Sequence, residues 1–352
     1  MSVKAPGWYQ MARVLAIVVL AAIPVAIIIA SLPSSPSAVS PPSRTVARCR
    51  PGSSGGPNCR DDSRSRPLVG ILQNGNFLAE QIGPGGSWVS EAPAVSQIAV
   101  ASDPVHGPLL GTIQGGVFLA KQGGLSTGWV SEATDVSQIA VGSDRLHGPL
   151  LGKVSNGAFS AKQGGLNAGW IAEISNADQI AVASDPTHGA LLGVVKNGTF
   201  MVKEGRLTAP WVREASNVSQ MAVASDPTHG PLLGAVTNGT LVVKEGSLTA
   251  PWVREASSVS LMAVASDPTH GPLLGAVRNG TLLAKEGGLT ARWVREAAIA
   301  STASQIAVAS VPSHGPFLGL LRDDETVLLK GRGLPAGWRV AAIAVTQLVA
   351  AG

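Results

Sequence analysis

Residues 220–260 read QMAVASDPTHGPLLGAVTNGTLVVKEGSLTAPWVREASSVS, and this 41-residue unit predicts the architecture of most of the chain. Four short runs rich in valine, leucine or alanine are bounded by turn residues, which predicts strands over 220–225, 231–236, 240–244 and 252–255. We name them strands a, b, c and d. No segment outside the apolar run near the N-terminus keeps a helical period, so we expect an antiparallel meander.

Turn residues within the unit support these boundaries. Asn238-Gly239 joins strands b and c, and both residues accept the positive φ angles that a type I′ hairpin requires. The segment DPTHG over 226–230 joins strands a and b. Its Asp, Pro and final Gly fit a type I turn that ends in a left-handed residue.

The unit recurs with a fixed period. Tryptophans follow one another every 41 residues and then once after 45, at Trp88, Trp129, Trp170, Trp211, Trp252, Trp293 and Trp338. Histidines keep the same spacing from His106 to His270, and His314 follows after 44. A repeat of about 40–45 residues is typical of a four-stranded propeller blade, which buries its apolar faces against neighbouring blades.

The two ends of the repeat region complement each other. The first unit begins at Pro67 with strand b, whereas residues 347–352 copy strand a. Pairing them would complete the first blade and leave the ring without an open edge. The sequence therefore predicts an all-β fold, a seven-bladed β-propeller over 67–352 with strand 347–352 closing the first blade.

The N-terminal part does not share the repeat. Residues 1–13 form a short tail, and the uncharged run VLAIVVLAAIPVAIIIA over 14–30 predicts a membrane span over 14–31 or the apolar region of a signal peptide. Its length and the missing cleavage motif favour an uncleaved anchor. Residues 32–66 are rich in Pro, Ser, Gly and Arg, and we expect a flexible stalk.

Charge and cysteine usage bear on partners and location. The first 66 residues carry a net charge of +6 and the rest −2, so the basic balance does not indicate nucleic-acid binding by the propeller. The two cysteines, Cys49 and Cys59, either form a disulfide in the stalk or remain free thiols. An otherwise cysteine-free chain fits an oxidising compartment, which favours a propeller outside the cell membrane, or a secreted one after signal cleavage.

One face of the predicted ring collects the residues suited to ligand binding. The a–b and c–d loops share this face, which we call the DPxHG face, and each blade can present an Asp, a His and a Trp there. An indole stacks on the apolar side of a sugar while polar groups bond its hydroxyls. The near-identical fourth to sixth units supply our candidates: Asp185, His188, Trp211, Asp226, His229, Trp252, Asp267, His270 and Trp293.

Each of these residue types also has a structural interpretation. A Trp at one fixed point per blade is a common packing anchor, an Asp caps its own turn, and a His braces that turn. Equivalent histidines on neighbouring blades are too far apart to share a metal ion. Because the Asp–His pairs recur without a single privileged constellation, we expect no catalytic residues, no metal and no cofactor.

Repeated charges are expected to lie on the surface. A lysine ends strand c in six units, and Glu80 replaces it in the first; a glutamate lies in strand d of six units. If strand d is outermost, these groups would face each other across the c–d pair of one blade and contribute little to stability.

The motifs Q-[IM]-A-V-A-S, NG-T-L-x-x-K and W-V-x-E, repeated over seven units within 67–352, resemble the tachylectin-like and PLL-like lectin propellers. The resemblance implies an extracellular protein that binds monosaccharides in shallow pockets, commonly between blades. The chain departs from that pattern because its repeat region has no tyrosine and one Trp per blade. This departure implies sites that bind a sugar weakly one by one and reach a useful affinity only when several of them bind at once.

We therefore expect a membrane-anchored or secreted surface propeller that binds carbohydrate weakly and multivalently and is not an enzyme. The alternative is a non-catalytic propeller that binds protein or serves as a structural scaffold. The expected partners are glycans or a surface protein, and the membrane through residues 14–31, but not nucleic acid.

Overall fold

The computed structural model describes residues 66–352, except for 83–85, 104, 298–302 and 332. The predicted tail, the span over 14–31, the stalk up to residue 65 and the cysteine pair lie outside the described residues. In the part of the chain that is described, no helix has the length and hydropathy needed to cross a membrane.

Seven antiparallel sheets of four strands each form the blades of a propeller, which confirms the predicted fold class. In the order a to d, blade 1 consists of β28 (Val345–Ala351), β1 (Leu68–Gln73), β2 (Asn76–Gln81) and β3 (Val89–Ala92). Blade 2 consists of β4 (Val95–Asp103), β5 (Gly107–Gln114), β6 (Val117–Gln122) and β7 (Val130–Ala133). Blade 3 consists of β8 (Val136–Asp144), β9 (Gly148–Ser155), β10 (Ala158–Gln163) and β11 (Ile171–Ser175).

The remaining blades follow the same order. Blade 4 consists of β12 (Gln179–Asp185), β13 (Gly189–Lys196), β14 (Thr199–Gly205) and β15 (Val212–Ala215). Blade 5 consists of β16 (Val218–Asp226), β17 (Gly230–Thr237), β18 (Thr240–Glu245) and β19 (Val253–Ser257). Blade 6 consists of β20 (Val259–Asp267), β21 (Gly271–Arg278), β22 (Thr281–Glu286) and β23 (Val294–Ala297). Blade 7 consists of β24 (Ala303–Val311), β25 (Gly315–Arg322), β26 (Val327–Lys330) and β27 (Arg339–Ala342).

The turns have the predicted conformations. Asn238 and Gly239 have φ angles of 49° and 71°, and Gly230 at the end of the a–b turn has a φ of 74°. Only left-handed φ values let these tight connections return the chain into the next strand, and Asn and Gly reach them at the least cost.

Blade 1 is assembled from both ends of the described chain. Strand β28 pairs antiparallel with β1, with Ile71 opposite Leu348 and Leu68 opposite Ala351. Side-chain amides then link this blade to its neighbours. The Gln347 Oε1 atom accepts a hydrogen bond from the Ile98 backbone N–H at 2.9 Å, and Gln305 Oε1 accepts one from Leu348 at 2.8 Å.

Apolar packing between blades forms the core. Strand a of every blade lines a central channel, and its alternation of small and large residues lets the blades approach. Ala99 and Ala101 of blade 2, for example, pack against Ile139 and Val141 of blade 3. Large buried side chains of strand c, such as Phe118, fill the space farther from the channel.

Candidate functional site

The aspartates of the DPxHG turns cap those turns. In blade 5 the Asp226 Oδ1 atom accepts hydrogen bonds from the backbone N–H groups of Thr228 at 2.7 Å and His229 at 2.8 Å. Asp144, Asp185 and Asp267 have the same two bonds in their blades. An aspartate fits here because its short carboxylate mimics the acceptor of a backbone turn.

The same carboxylate orients the histidine. The His229 Nδ1 atom lies 3.1 Å from Asp226 Oδ2, and the His229 side chain remains 31% exposed. With Nδ1 held by Asp226, the other ring nitrogen, Nε2, points toward the next blade, where it would lie 3.4 Å from a Cβ added to Gly271. The histidine therefore lies at the boundary between blades 5 and 6, and we use the word groove for this boundary on the DPxHG face.

Each aspartate also links its blade to the next. The Ser266 hydroxyl of blade 6 donates a hydrogen bond to Asp226 Oδ2, and Ser184, Ser225 and Ser310 make the equivalent bonds. Burial raises the pKa of the Asp144 carboxyl group. The hydrogen bonds from Ser184, His147 and Leu146 together lower that pKa by more than burial raises it, so it lies below its ordinary value. The Asp–His pair is thus both a turn brace and an inter-blade contact.

Three glutamates next to these pairs were not among the candidate residues. Glu204, Glu245 and Glu286 directly follow the lysine of strand c in blades 4 to 6. Burial raises the pKa of Glu204, His188 opposes that rise, and Asp185 adds to it; Glu245 and Glu286 have the same neighbours in their own blades. The sequence does carry a signal, because blades 2 and 3 have KQG where blades 4 to 6 have KEG.

Each candidate tryptophan packs against the preceding blade, whereas the histidine of the same blade lies against the following blade. The Trp252 Nε1 atom donates to the Glu214 carbonyl of blade 4 at 3.2 Å, and its ring lies 6.4 Å from that of Phe200. The Lys244 ammonium lies 5.1 Å from the centre of the Trp252 ring system. Trp211 packs in the same way against Phe159 and Lys203, and Trp293 has Lys285 over its ring at 5.3 Å.

The predicted triads are therefore divided between interfaces. Trp252 faces blade 4, whereas His229 of the same blade faces blade 6. Asp185 and His188 from blade 4 instead lie along the same interface as Trp252 from blade 5, the interface between blades 4 and 5. The residues of one candidate groove thus come from consecutive units.

The repeated lysines and glutamates are buried, so the expectation of surface pairs within one blade is wrong. The Lys244 ammonium of blade 5 pairs with Glu214 of blade 4, and the two side chains are 5% and 2% exposed. Lys244 also donates to the Leu248 carbonyl at 2.7 Å. The same ion pair occurs at six interfaces: Lys121–Glu91, Lys162–Glu132, Lys203–Glu173, Lys244–Glu214, Lys285–Glu255 and Lys330–Glu296.

The interface between blades 7 and 1, which we call the seam, lacks this pair. Register places Glu80 where the other blades have lysine and Ala341 where they have glutamate. Val311 replaces the capping aspartate, and the His314 Nδ1 atom instead lies 2.7 Å from the Ser313 hydroxyl. A cavity of about 390 Å³ lies at the seam.

The described residues include no group of three or more His, Cys, Asp or Glu side chains that could hold a metal ion. Glu204 lies close enough to His188 and Asp185 for their charges to affect its pKa, and the three side chains form a polar cluster suited to hydrogen bonding. Such a cluster can accept hydrogen bonds from hydroxyl groups, both at the carboxylates and at His Nε2 when Nδ1–H is donated to the aspartate.

Comparison with known proteins places the fold in context. No protein-family model and no curated protein matches the chain. The BP39L lectin from Burkholderia pseudomallei matches with a TM-score of 0.59 and 14% identity, over 80% of this chain and 96% of the lectin. The BBS1N chain, solved in complex with ARL6DN, matches with a TM-score of 0.52 and 13% identity, over 78% of this chain and 89% of that one.

PorZ of Porphyromonas gingivalis, a bacterial surface component of a type-IX secretion system, matches with a TM-score of 0.51 and 10% identity, over 77% of this chain and 36% of PorZ. At these identities the likeness concerns the fold. The chain is a β-propeller whose fold is similar to that of the seven-bladed lectin BP39L.

Proposed function

We propose that the chain is a non-catalytic propeller that binds carbohydrate weakly and multivalently through the grooves between blades on the DPxHG face. One observation carries the proposal: four successive blades present a histidine that is fixed by an aspartate and has a side chain 27–36% exposed. A fixed, partly exposed hydrogen-bonding group, repeated at equal intervals, suits a ligand with repeated hydroxyl groups.

The chemistry of the grooves favours neutral, polyhydroxylated ligands. When Nδ1–H is donated to the Asp226 carboxylate, the His229 Nε2 atom of the neutral ring can accept a hydrogen bond from a hydroxyl group. Glu245 adds an acceptor beside it. Because Lys244 covers one side of the indole, we assign Trp252 to the wall of the groove rather than to sugar stacking.

Low affinity at each groove is expected. Only a few polar atoms converge there, so individual sites would hold a sugar loosely, and simultaneous engagement of several grooves would supply the useful affinity. The fold of the BP39L lectin is in keeping with this proposal, since it shows that a propeller of this architecture serves as a lectin.

We place the propeller outside the cell membrane, anchored through residues 14–31, or secreted if that segment is cleaved. The support is the uncharged run in the sequence and the scarcity of cysteine. Membrane fractionation with N-terminal sequencing of the mature chain separates the two forms, and protease digestion of intact cells tests on which side the propeller lies.

A glycan array tests the function directly. We expect the full-length chain, purified in a neutral detergent, to bind a defined set of glycans, with competition by free monosaccharide. The triple variant H188A/H229A/H270A should lose most of this binding. The matched control T187A/T228A/T269A changes exposed neighbours in the same three turns and should bind like the parent chain. A folded parent chain without glycan binding would refute the proposal.

Protein binding is the second candidate, and a separate observation favours it. Strand d is the outermost of each blade, and in blades 2 to 6 it exposes an apolar residue directly after the tryptophan, such as Val253 at 37% and Val294 at 43%. Exposed apolar positions on edge strands suit pairing with a partner chain. The BBS1N propeller, solved with a protein partner, has a related fold. Loss of a surface partner in V212S/V253S/V294S, with glycan binding unchanged, would support this alternative.

A further inference from the structure

The cavity at the seam differs from the grooves in the charged residues that line it. Its volume of about 390 Å³ falls in the range of sites for small molecules. Its apolar lining includes Phe317 and Leu329 of blade 7 and Ile82 of blade 1. Glu80 of blade 1 and Arg339 of blade 7 supply charges from its two sides. None of these residues belongs to the grooves proposed above for carbohydrate.

Three side chains that fill the regular interfaces have no equivalent in the sequence at the seam. In blade 5 Lys244 crosses to blade 4, its ammonium bonds the Leu248 carbonyl, and Leu248 packs against the core between these blades. Residues 82–88 of blade 1 read IGPGGSW, without a leucine. Glu80 has a shorter side chain than lysine, and Ala341 cannot reach across the interface.

Glu80 is a buried carboxylate that faces this space. It is 6% exposed, and it forms no ion pair with any described residue. Burial raises its pKa, and the positive charge of Arg339 partly opposes that rise. A carboxylate this buried favours a cationic partner, and each regular interface places an ammonium group at the corresponding position.

Arg339 offers the complementary group on the other side. It lies in β27 at the register position that Val253 occupies in blade 5, and it is exposed at the edge of the cavity. A guanidinium there can bind a carboxylate through two parallel hydrogen bonds. His314 also lines the cavity, and no aspartate holds its ring in blade 7.

We propose that the seam binds one small zwitterion of the α-amino-acid class. The ammonium group pairs with Glu80 inside the cavity, the carboxylate pairs with Arg339 at its edge, and an apolar side chain lies on Phe317 and Leu329. The arrangement restores to the seam the buried ammonium–carboxylate pair that the six regular interfaces build from the chain itself. This inference does not depend on carbohydrate binding.

Calorimetric titration of the full-length chain in neutral detergent tests it with three probes that share the isobutyl side chain of leucine. L-leucine carries both charges, isoamylamine only the ammonium group, and isocaproate only the carboxylate. We expect leucine to bind with one site per chain and each analogue to bind about tenfold more weakly or worse, because each forgoes one charge-assisted contact. Absence of leucine binding by folded protein, or equal affinity for isoamylamine, would overturn the proposal.

Variants assign the two contacts. E80Q should weaken leucine binding and should make leucine bind no more tightly than isocaproate, which lacks the ammonium group. R339Q should make leucine bind no more tightly than isoamylamine, which lacks the carboxylate. R254Q, an exposed arginine on the equivalent strand of blade 5, is the matched control and should change neither. The double variant E80K/A341E rebuilds the regular ion pair, so it should fold and yet bind no leucine. Undiminished leucine affinity in this double variant would contradict the proposed site.

Discussion

The six regular interfaces and the seam solve the same packing problem with different residues. Each regular interface buries a Lys–Glu pair, such as Lys244–Glu214, beside a tryptophan that packs on the preceding blade. The seam keeps a tryptophan, Trp88, packed against blade 7, but replaces the ion pair by Glu80 and Ala341 and leaves a cavity. The comparison teaches that one interface can dispense with the buried ion pair, because Trp88 and the hydrogen bond from Leu348 to Gln305 still join blade 1 to blade 7.

Removing the closing strand is expected to have the largest effect. Deletion of residues 347–352 takes away the partner of β1 and exposes its edge, together with the buried Leu348. A typical protein is stable by only about 5–15 kcal/mol. We expect the loss of a whole strand pair to unfold the ring and to cause aggregation through the exposed edge. Size-exclusion chromatography and thermal melting measure the outcome.

A circular permutant provides the control for that deletion. It joins residue 352 to residue 67 through a short linker and opens the chain between Arg145 and Leu146, in an exposed a–b turn. We expect it to fold without aggregation because every strand pair is retained. If the deletion variant instead melted like the parent chain, closure by β28 could not be the element that secures the ring.

Truncating one inter-blade tryptophan is expected to have the next largest effect. Trp252→Ala removes the contact with Phe200 and the bond to the Glu214 carbonyl, and buried tryptophans typically cost about 3–5 kcal/mol when truncated. Trp88→Ala at the seam should cost less, because the space beside it is already open. Urea unfolding compares the two variants. Equal losses would show that the cavity does not weaken packing around Trp88.

The buried ion pair gives a sharper contrast between the two kinds of interface. Lys244→Met leaves the Glu214 carboxylate buried without its cation, and breaking one partner of such a pair costs about 3–5 kcal/mol. Glu80→Gln removes a carboxylate that has no ion partner among the described residues, so we expect a change within about 0.5 kcal/mol or a slight stabilisation. The double variant K244M/E214Q should recover most of the loss. A costly E80Q substitution would mean that the chain itself supplies the missing cation.

The sequence predicted the fold well because its signals are local. Asn238-Gly239 and the DPTHG turn require particular φ angles whatever surrounds them, and the 41-residue period counts the blades. The partner of Lys244 could not be read in this way. Glu255 lies eleven residues later in the same blade, and Glu214 lies thirty residues earlier in the preceding blade. A periodic sequence does not show which of the two pairs with Lys244.

The candidate site shows the same limit. The Asp226 turn and its bond to His229 follow from neighbouring residues, whereas the position of Trp252 depends on how blades stack. The seam was visible in the sequence as departures from the repeat, with Glu80 in place of lysine and Val311 in place of aspartate. That these departures fall on one interface and open a cavity is a consequence of ring closure, which no single unit encodes.

The smallest expected effects concern pH, and they have opposite signs in the two regions. The folded-state pKa of Asp144 is lowered from 3.8, so its contribution to stability is present above that value and is lost as the pH falls through the lowered pKa. Burial raises the folded-state pKa of Glu80 from 4.5, although Arg339 opposes the rise. Its contribution is therefore present below 4.5 and is lost as the pH rises through the raised pKa.

Urea unfolding of the parent chain, D144N and E80Q at a series of pH values separates the contributions of Asp144 and Glu80. Relative to D144N the parent chain should gain stability with rising pH, and relative to E80Q it should lose stability. A parent chain that gained on both variants would indicate that Glu80 is stabilised as an anion, as a paired residue of a regular interface would be.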